Sequence, residues 1–158
     1  FIEVIHRWFG RTRDVVATTQ TFTAERVDAT GERVRVQIPD QVMFLATMAA
    51  GFPVQYLIST CVHNGEDRIE IHGTKGTLRY DIGPDKLYRA EPGGDFLPVP
   101  IAPGEAYDVQ YWRVEQDFIT AIREGAEYHP NFEDGLRYME VVQAVYNSAA
   151  SGRVVVIG

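Results

Sequence analysis

Val42-Met43-Phe44-Leu45-Ala46-Thr47-Met48-Ala49 is the stretch on which the fold turns. At the strand period of two, Val42, Phe44, Ala46 and Met48 fall on one face, and Met43, Leu45, Thr47 and Ala49 on the other. Both faces are largely apolar, so this strand has to be covered on two sides. Tyr56 to Val62 has the same character. In an antiparallel sheet backed by helices on one side, the second cover is often another subunit, so self-association through the sheet face is expected.

Outward from this pair the strands become half-wet. Downstream, Ile69 and Ile71 alternate with Arg68, Glu70 and His72; Gly73-Thr74-Lys75-Gly76 follows, and Leu78 and Tyr80 resume the alternation, which is a hairpin pattern. Lys86 to Ala90 offers one more strand, and the Pro/Gly-rich stretch from Pro92 to Gly104 reads as loop. Upstream, Val34, Val36 and Ile38 form a short edge-type strand closed by Pro39, and the Val/Thr-rich run Val15 to Phe22 reads as the first strand.

Three segments have helical spacing. Ile2, Ile5 and Phe9 share a face, with Gly10 placed for a left-handed cap; a stop signal without a start signal suggests a fragment. Tyr111, Val114, Phe118, Ile119 and Ile122 form a second apolar stripe ended by Gly125. Asn131 is a candidate N-cap for the third helix, with Glu133 and Asp134 in its first turn. Leu136, Met139, Val142, Tyr146 and Ala149 are the expected buried stripe, and Gly152 is the stop. Val154 to Ile157 closes the chain as a strand. The sum is one α+β domain over residues 1–158, with an open, mostly antiparallel β-sheet and helices packed on one face.

At 158 residues with 45% hydrophobic content, the chain can build a core, and its net charge of −7 disfavours a nucleic-acid partner. No apolar run is long enough for a membrane span and no signal peptide is evident, so a soluble, cytoplasmic protein without a membrane partner is expected. The single Cys61 reads as a buried strand residue.

Chemistry is sparse. A dinucleotide site needs Gly-x-Gly-x-x-Gly between a strand and a helix, and no such string occurs. The four histidines, His6, His63, His72 and His129, fall in no metal-ligand spacing; Cys61 and His63 could share a strand face, but they lack a third ligand. Ser59, Ser148 and Ser151 lie in no nucleophile elbow. No catalytic, cofactor-binding or metal-binding residue is assigned.

Three stretches together resemble the C-terminal domain of the Gfo/Idh/MocA family of oxidoreductases. Arg68 to Leu78 is similar to the family's Ile-Glu-Ile-Tyr-Gly-Thr-x-Gly-x-Leu hairpin, with His72 in place of the usual Tyr. Asn131 to Arg153 is similar to its closing helix and strand, and Pro39-Asp40-Gln41 also fits. The resemblance implies a domain of the glyceraldehyde-3-phosphate dehydrogenase-like C-terminal type, serving substrate binding and oligomerisation. It also implies an absent N-terminal Rossmann domain that binds NAD or NADP and carries the catalytic lysine. Phe1 to Gly10 resembles a family helix with Glu3 at the Asp position of His-x-x-Asp, which would put the catalytic His just before Phe1; His6 is then structural or solvent-facing.

On this resemblance the parent transfers hydride between NAD(P) and a sugar, cyclitol or similar small-molecule substrate, and the fragment alone is inactive. Arg11 and Arg13 in the loop after the first helix, with Tyr107, Tyr111 and Trp112 near the start of the second, are the substrate-lining candidates. The competing reading is a freestanding dimerisation module with no catalytic parent.

Overall fold

In the computed structural model, which describes residues 1–100 and 114–158, the chain opens with α1 (Ile2–Phe9) and β1 (Thr12–Gln20). A small hairpin, β2 (Glu25–Val27) and β3 (Arg33–Arg35), precedes β4 (Gln41–Met48) and β5 (Pro53–Ser59). Then come β6 (Arg68–Gly73), β7 (Gly76–Asp81), β8 (Lys86–Ala90) and β9 (Leu97–Pro98), followed by α2 (Val114–Glu124), α3 (Phe132–Ser151) and β10 (Val155–Val156). The chain divides into two compact units, residues 1–62 with 117–158 and residues 63–116.

The first unit is built on an antiparallel sheet in the order β10-β1-β4-β5. On its inner face Val15 stands opposite Ala46 and Phe44 opposite Tyr56, whose rings stack at 4.2 Å. Val15, Phe44, Ala46, Met48 and Tyr56 are all buried. Each large side chain buried this way contributes about 1.5–3 kcal/mol. α3 packs on β1 through Val141, Ala144, Val145 and Ser148. The outer face carries Val16 opposite Leu45 and Met43 opposite Leu57, all four exposed. The doubly apolar strand is therefore present as expected, with helices on one side of it.

Asp40 binds the connections together. Its carboxylate, 6% exposed, accepts the amides of Phe22 at 2.8 Å and Thr23 at 2.9 Å, while its carbonyl accepts the Thr60 amide. Those bonds hold its carboxyl below the usual range, the Phe22 amide acting most strongly.

The second unit is the antiparallel sheet β6-β7-β8-β9. The Gly73–Gly76 hairpin is as read from the sequence, Gly73 pairing with Gly76. Gly76 is required there, since at φ 144° a Cβ would lie 2.2 Å from the Ala90 carbonyl oxygen. Arg79 is clamped between the rings of Tyr88 and Phe96, 4.7 and 4.5 Å from their centroids.

Several expectations change. The buried row of α3 is Val141, Ala144, Val145 and Ser148, whereas Leu136, Met139 and Tyr146 are exposed. The helix is apolar on more than one row, and the row with small side chains is the one that lets it approach β1. α2 forms, yet none of its residues is buried. Cys61 and His63 lie past the end of β5, not on a strand, and Cys61 is half-buried. The edge strand contracts to Arg33–Arg35, exposed at each residue, and Leu97–Pro98 forms a short strand inside the expected loop. Gly10 has φ 83° but ψ −160°, so the α1 cap is not left-handed.

Candidate functional site

The ends of α1 and α3 enclose a groove of about 370 Å³ within the first unit. Glu3, His6 and Arg7 share one face of α1 at helical spacing, and Gly10 and Arg11 follow it. From the other side come His129 and Pro130, then Glu133, Asp134, Arg137 and Tyr138 from the first turns of α3.

The start of α3 is fixed by a capping box: the Asn131 side chain accepts the Asp134 amide at 3.0 Å, and Asp134 accepts the Asn131 amide at 2.9 Å. The same Asp134 oxygen lies 2.6 Å from Nδ1 of His129. The Asn131 amide and then His129 hold the Asp134 carboxyl below its ordinary value, and Asp134 in turn raises the pKa of His129.

The rest of the wall is charge-paired. Arg7 pairs with Glu3, and Arg137 bridges Glu133 at 2.6 Å and Glu140 at 3.4 Å. The Arg137 Nε–H is buried without a hydrogen-bond partner among the described residues. Arg11 is exposed and makes no ion pair among the described residues. His6 is half-buried; its Nε2 lies 2.9 Å from the Thr12 hydroxyl and 3.3 Å from the Thr12 amide, which donates to it. An amide donor against Nε2 places the proton of the neutral ring on Nδ1. Burial first, and then Arg11, lower the His6 pKa. The groove thus offers donors for an oxygen-rich small molecule, its three arginines matched by three carboxylates, with Arg11 the arginine that makes no ion pair among the described residues.

Of the residues expected to line a substrate, Arg11 lies on this groove. Arg13 lies on β1, where its Nε holds Asp14 at 2.8 Å. Tyr107, Tyr111 and Trp112 lie outside the described residues. No local sequence pattern marks His129 as a groove residue; Glu133 and Arg137 at i, i+4 are a legible pair, but the approach of His129 to Asp134 depends on the loop path. Gly73–Gly76 turns directly between two strands with no helix after it, so this stretch does not fit a dinucleotide pyrophosphate. Among the described residues no group of three potential ligands could hold a metal, and no helix is long and apolar enough to cross a membrane.

The sequence pattern of an oxidoreductase family's C-terminal alpha/beta domain, Gfo/Idh/MocA, matches residues 1–157. The chain belongs to this family. Among solved structures, an oxidoreductase domain protein from Kribbella flavida superposes with a TM-score of 0.83 at 26% identity, covering 99% of this chain and 48% of that one. Levoglucosan dehydrogenase in complex with NADH and L-sorbose superposes at 0.85 with 25% identity, again covering 99% of this chain and 48% of that one. An NAD binding oxidoreductase from Klebsiella pneumoniae, at 23% identity and a TM-score of 0.79, covers 99% and 48% and shows the shared Gfo/Idh/MocA fold. No curated protein matches the chain. It spans about half the length of these solved relatives.

Proposed function

We propose that this chain is the substrate-facing and assembly half of an NAD-dependent oxidoreductase that transfers hydride to or from a hydroxylated carbon of a sugar, cyclitol or similar polyol. The observation that carries the reading is the family match along residues 1–157, joined to relatives of which this chain covers only 48%. One of those relatives is bound to NADH and a sugar. The family resemblance implies an N-terminal dinucleotide-binding half that holds the cofactor and the catalytic lysine, and the lack among these 158 residues of the glycine-rich turn that a pyrophosphate needs is in keeping with it.

In this reading Arg11 and the donors beside it orient polyol hydroxyls, and Arg13, Tyr107, Tyr111 and Trp112 are further lining candidates. The exposed outer face of the β1-β4-β5 sheet is the homo-oligomer surface. Titration with NADH, followed by fluorescence or calorimetry, is the test. The isolated chain is expected not to bind, while the complete gene product binds; tight binding to the isolated chain would sink the reading.

A further inference from the structure

Along the groove between α1 and the start of α3, each carboxylate already has a cation or a donor against it. Glu3 is held by Arg7, Glu133 by Arg137 at 2.6 Å, and Asp134 by the Asn131 amide at 2.9 Å and by His129 at 2.6 Å. Arg137 is further tied to Glu140, and its Nε–H is shut away from solvent. Arg11 is left over: it lines the groove, is exposed, and makes no ion pair among the described residues. His6 lies within electrostatic reach of it. The Thr12 amide occupies Nε2 of His6, so the neutral ring has its Nδ1–H as a further donor. Tyr138 adds a hydroxyl from the other wall.

The backbone under Arg11 is fixed although its side chain is free. The Gly10 amide donates to the His6 carbonyl at 2.9 Å, the Arg11 carbonyl accepts the Ala49 amide at 2.8 Å, and the Thr12 amide donates to His6 at 3.3 Å. A guanidinium on a fixed stem, beside idle donors, suits an anion with two oxygens in one plane, which its fork matches. The charges on the walls restrict that anion further. Three arginines meet three carboxylates along the lining. A phosphate monoester, at about −1.5 to −2 near pH 7, would bring a second negative charge against Glu3, Glu133 and Asp134 with no cation to receive it. A carboxylate brings one. An exposed guanidinium alone holds a bare carboxylate weakly, so hydroxyl contacts to His6 and Tyr138 have to add to it. The volume of about 370 Å³ falls in the range of small-molecule sites.

We propose that the groove takes a polyhydroxy monocarboxylate, a sugar acid of the aldonate or uronate class, with its carboxylate on the Arg11 guanidinium and its hydroxyls on His6 and Tyr138. The inference rests on the reading given under the proposed function, and narrows its substrate from polyols in general to acidic ones.

The test titrates the 158-residue chain, at fixed pH, with D-gluconate and D-glucuronate and with their uncharged counterparts D-sorbitol and D-glucose. The imidazole resonances of His6 and His129 are followed by NMR. At least one acid is expected to shift both histidines saturably while its counterpart leaves them in place. Arg11→Gln is expected to weaken that binding by about tenfold or more, with Arg11→Lys in between, as for loss of one charge-assisted bond. Arg11 is exposed, so both variants are expected to keep the urea midpoint. Equal shifts from the neutral sugars or from acetate, no shift from either acid, or unweakened binding by Arg11→Gln would each overturn the proposal. Turnover in the complete gene product separates this from the parent reading. A product that oxidises neutral polyols with NAD, but neither turns over nor is inhibited by the acids, removes the sugar-acid assignment and keeps the parent reading. An acid bound by the short chain, together with a complete product that binds no NADH, removes the parent reading and upholds the groove assignment.

Discussion

Ser148 is fully buried and holds three pieces of chain at one point. Its hydroxyl donates to the Arg153 carbonyl at 2.6 Å and accepts the Ala17 amide at 2.9 Å, linking α3 to β1 and to the approach to β10. Ser148→Ala leaves both partners unsatisfied and is expected to cost about 2–4 kcal/mol by urea unfolding, although only one oxygen is removed. The groove histidines make the complementary prediction in pH. His6 is shifted below its ordinary 6.5, so the unfolded chain binds more protons there; its contribution to stability is complete above about pH 6.5 and is lost as pH falls through the lowered value. His129 is shifted upward by Asp134, so its contribution is complete below about 6.5 and is lost as pH rises through the raised value. NMR titration of the imidazole protons is expected to place His6 below His129, and coincident midpoints would contradict the geometry of both.

The elements depend on a few positions that can be tested singly. Asn131→Ala removes the acceptor for the Asp134 amide and is expected to destabilise the first unit by about 1 kcal/mol. Gly76→Ala forces a Cβ onto the Ala90 carbonyl and is expected to destabilise the second unit by about 2 kcal/mol or more, read as faster proteolysis within residues 63–100. How far the elements were legible in sequence follows from the same physics. The hairpin at Gly73, the cap at Asn131, the stop at Gly152 and the doubly apolar strand were readable because each is fixed by local chemistry or by a period of two. The facing of α3 was not, because a helix apolar on several rows gives no local reason for one row to meet the sheet; that is decided by how close Ala144 and Ser148 let β1 come. Of the groove, Arg11 could be read from its place after a helix stop, while its meeting with His129 and Arg137 depends on tertiary packing between residues more than a hundred positions apart.

At the scale of the whole molecule, the outer sheet face predicts an association that a charge should abolish. Leu45→Glu/Leu57→Glu places two carboxylates on a face that is already exposed, so it should leave folding intact while shifting the chain to monomer by light scattering at micromolar concentration. An unchanged mass would exclude this face as the contact. The order of strands in that sheet has a separate bearing on how the molecule is made. One flank of β1 is closed by β10, whose residues leave the ribosome about 135 positions after β1 is complete. At a synthesis rate of about 5–20 residues per second, that flank stays open for roughly 7–27 s. Until then, nascent chains on the same messenger each carry an unpaired strand edge, a template for pairing with a neighbouring chain.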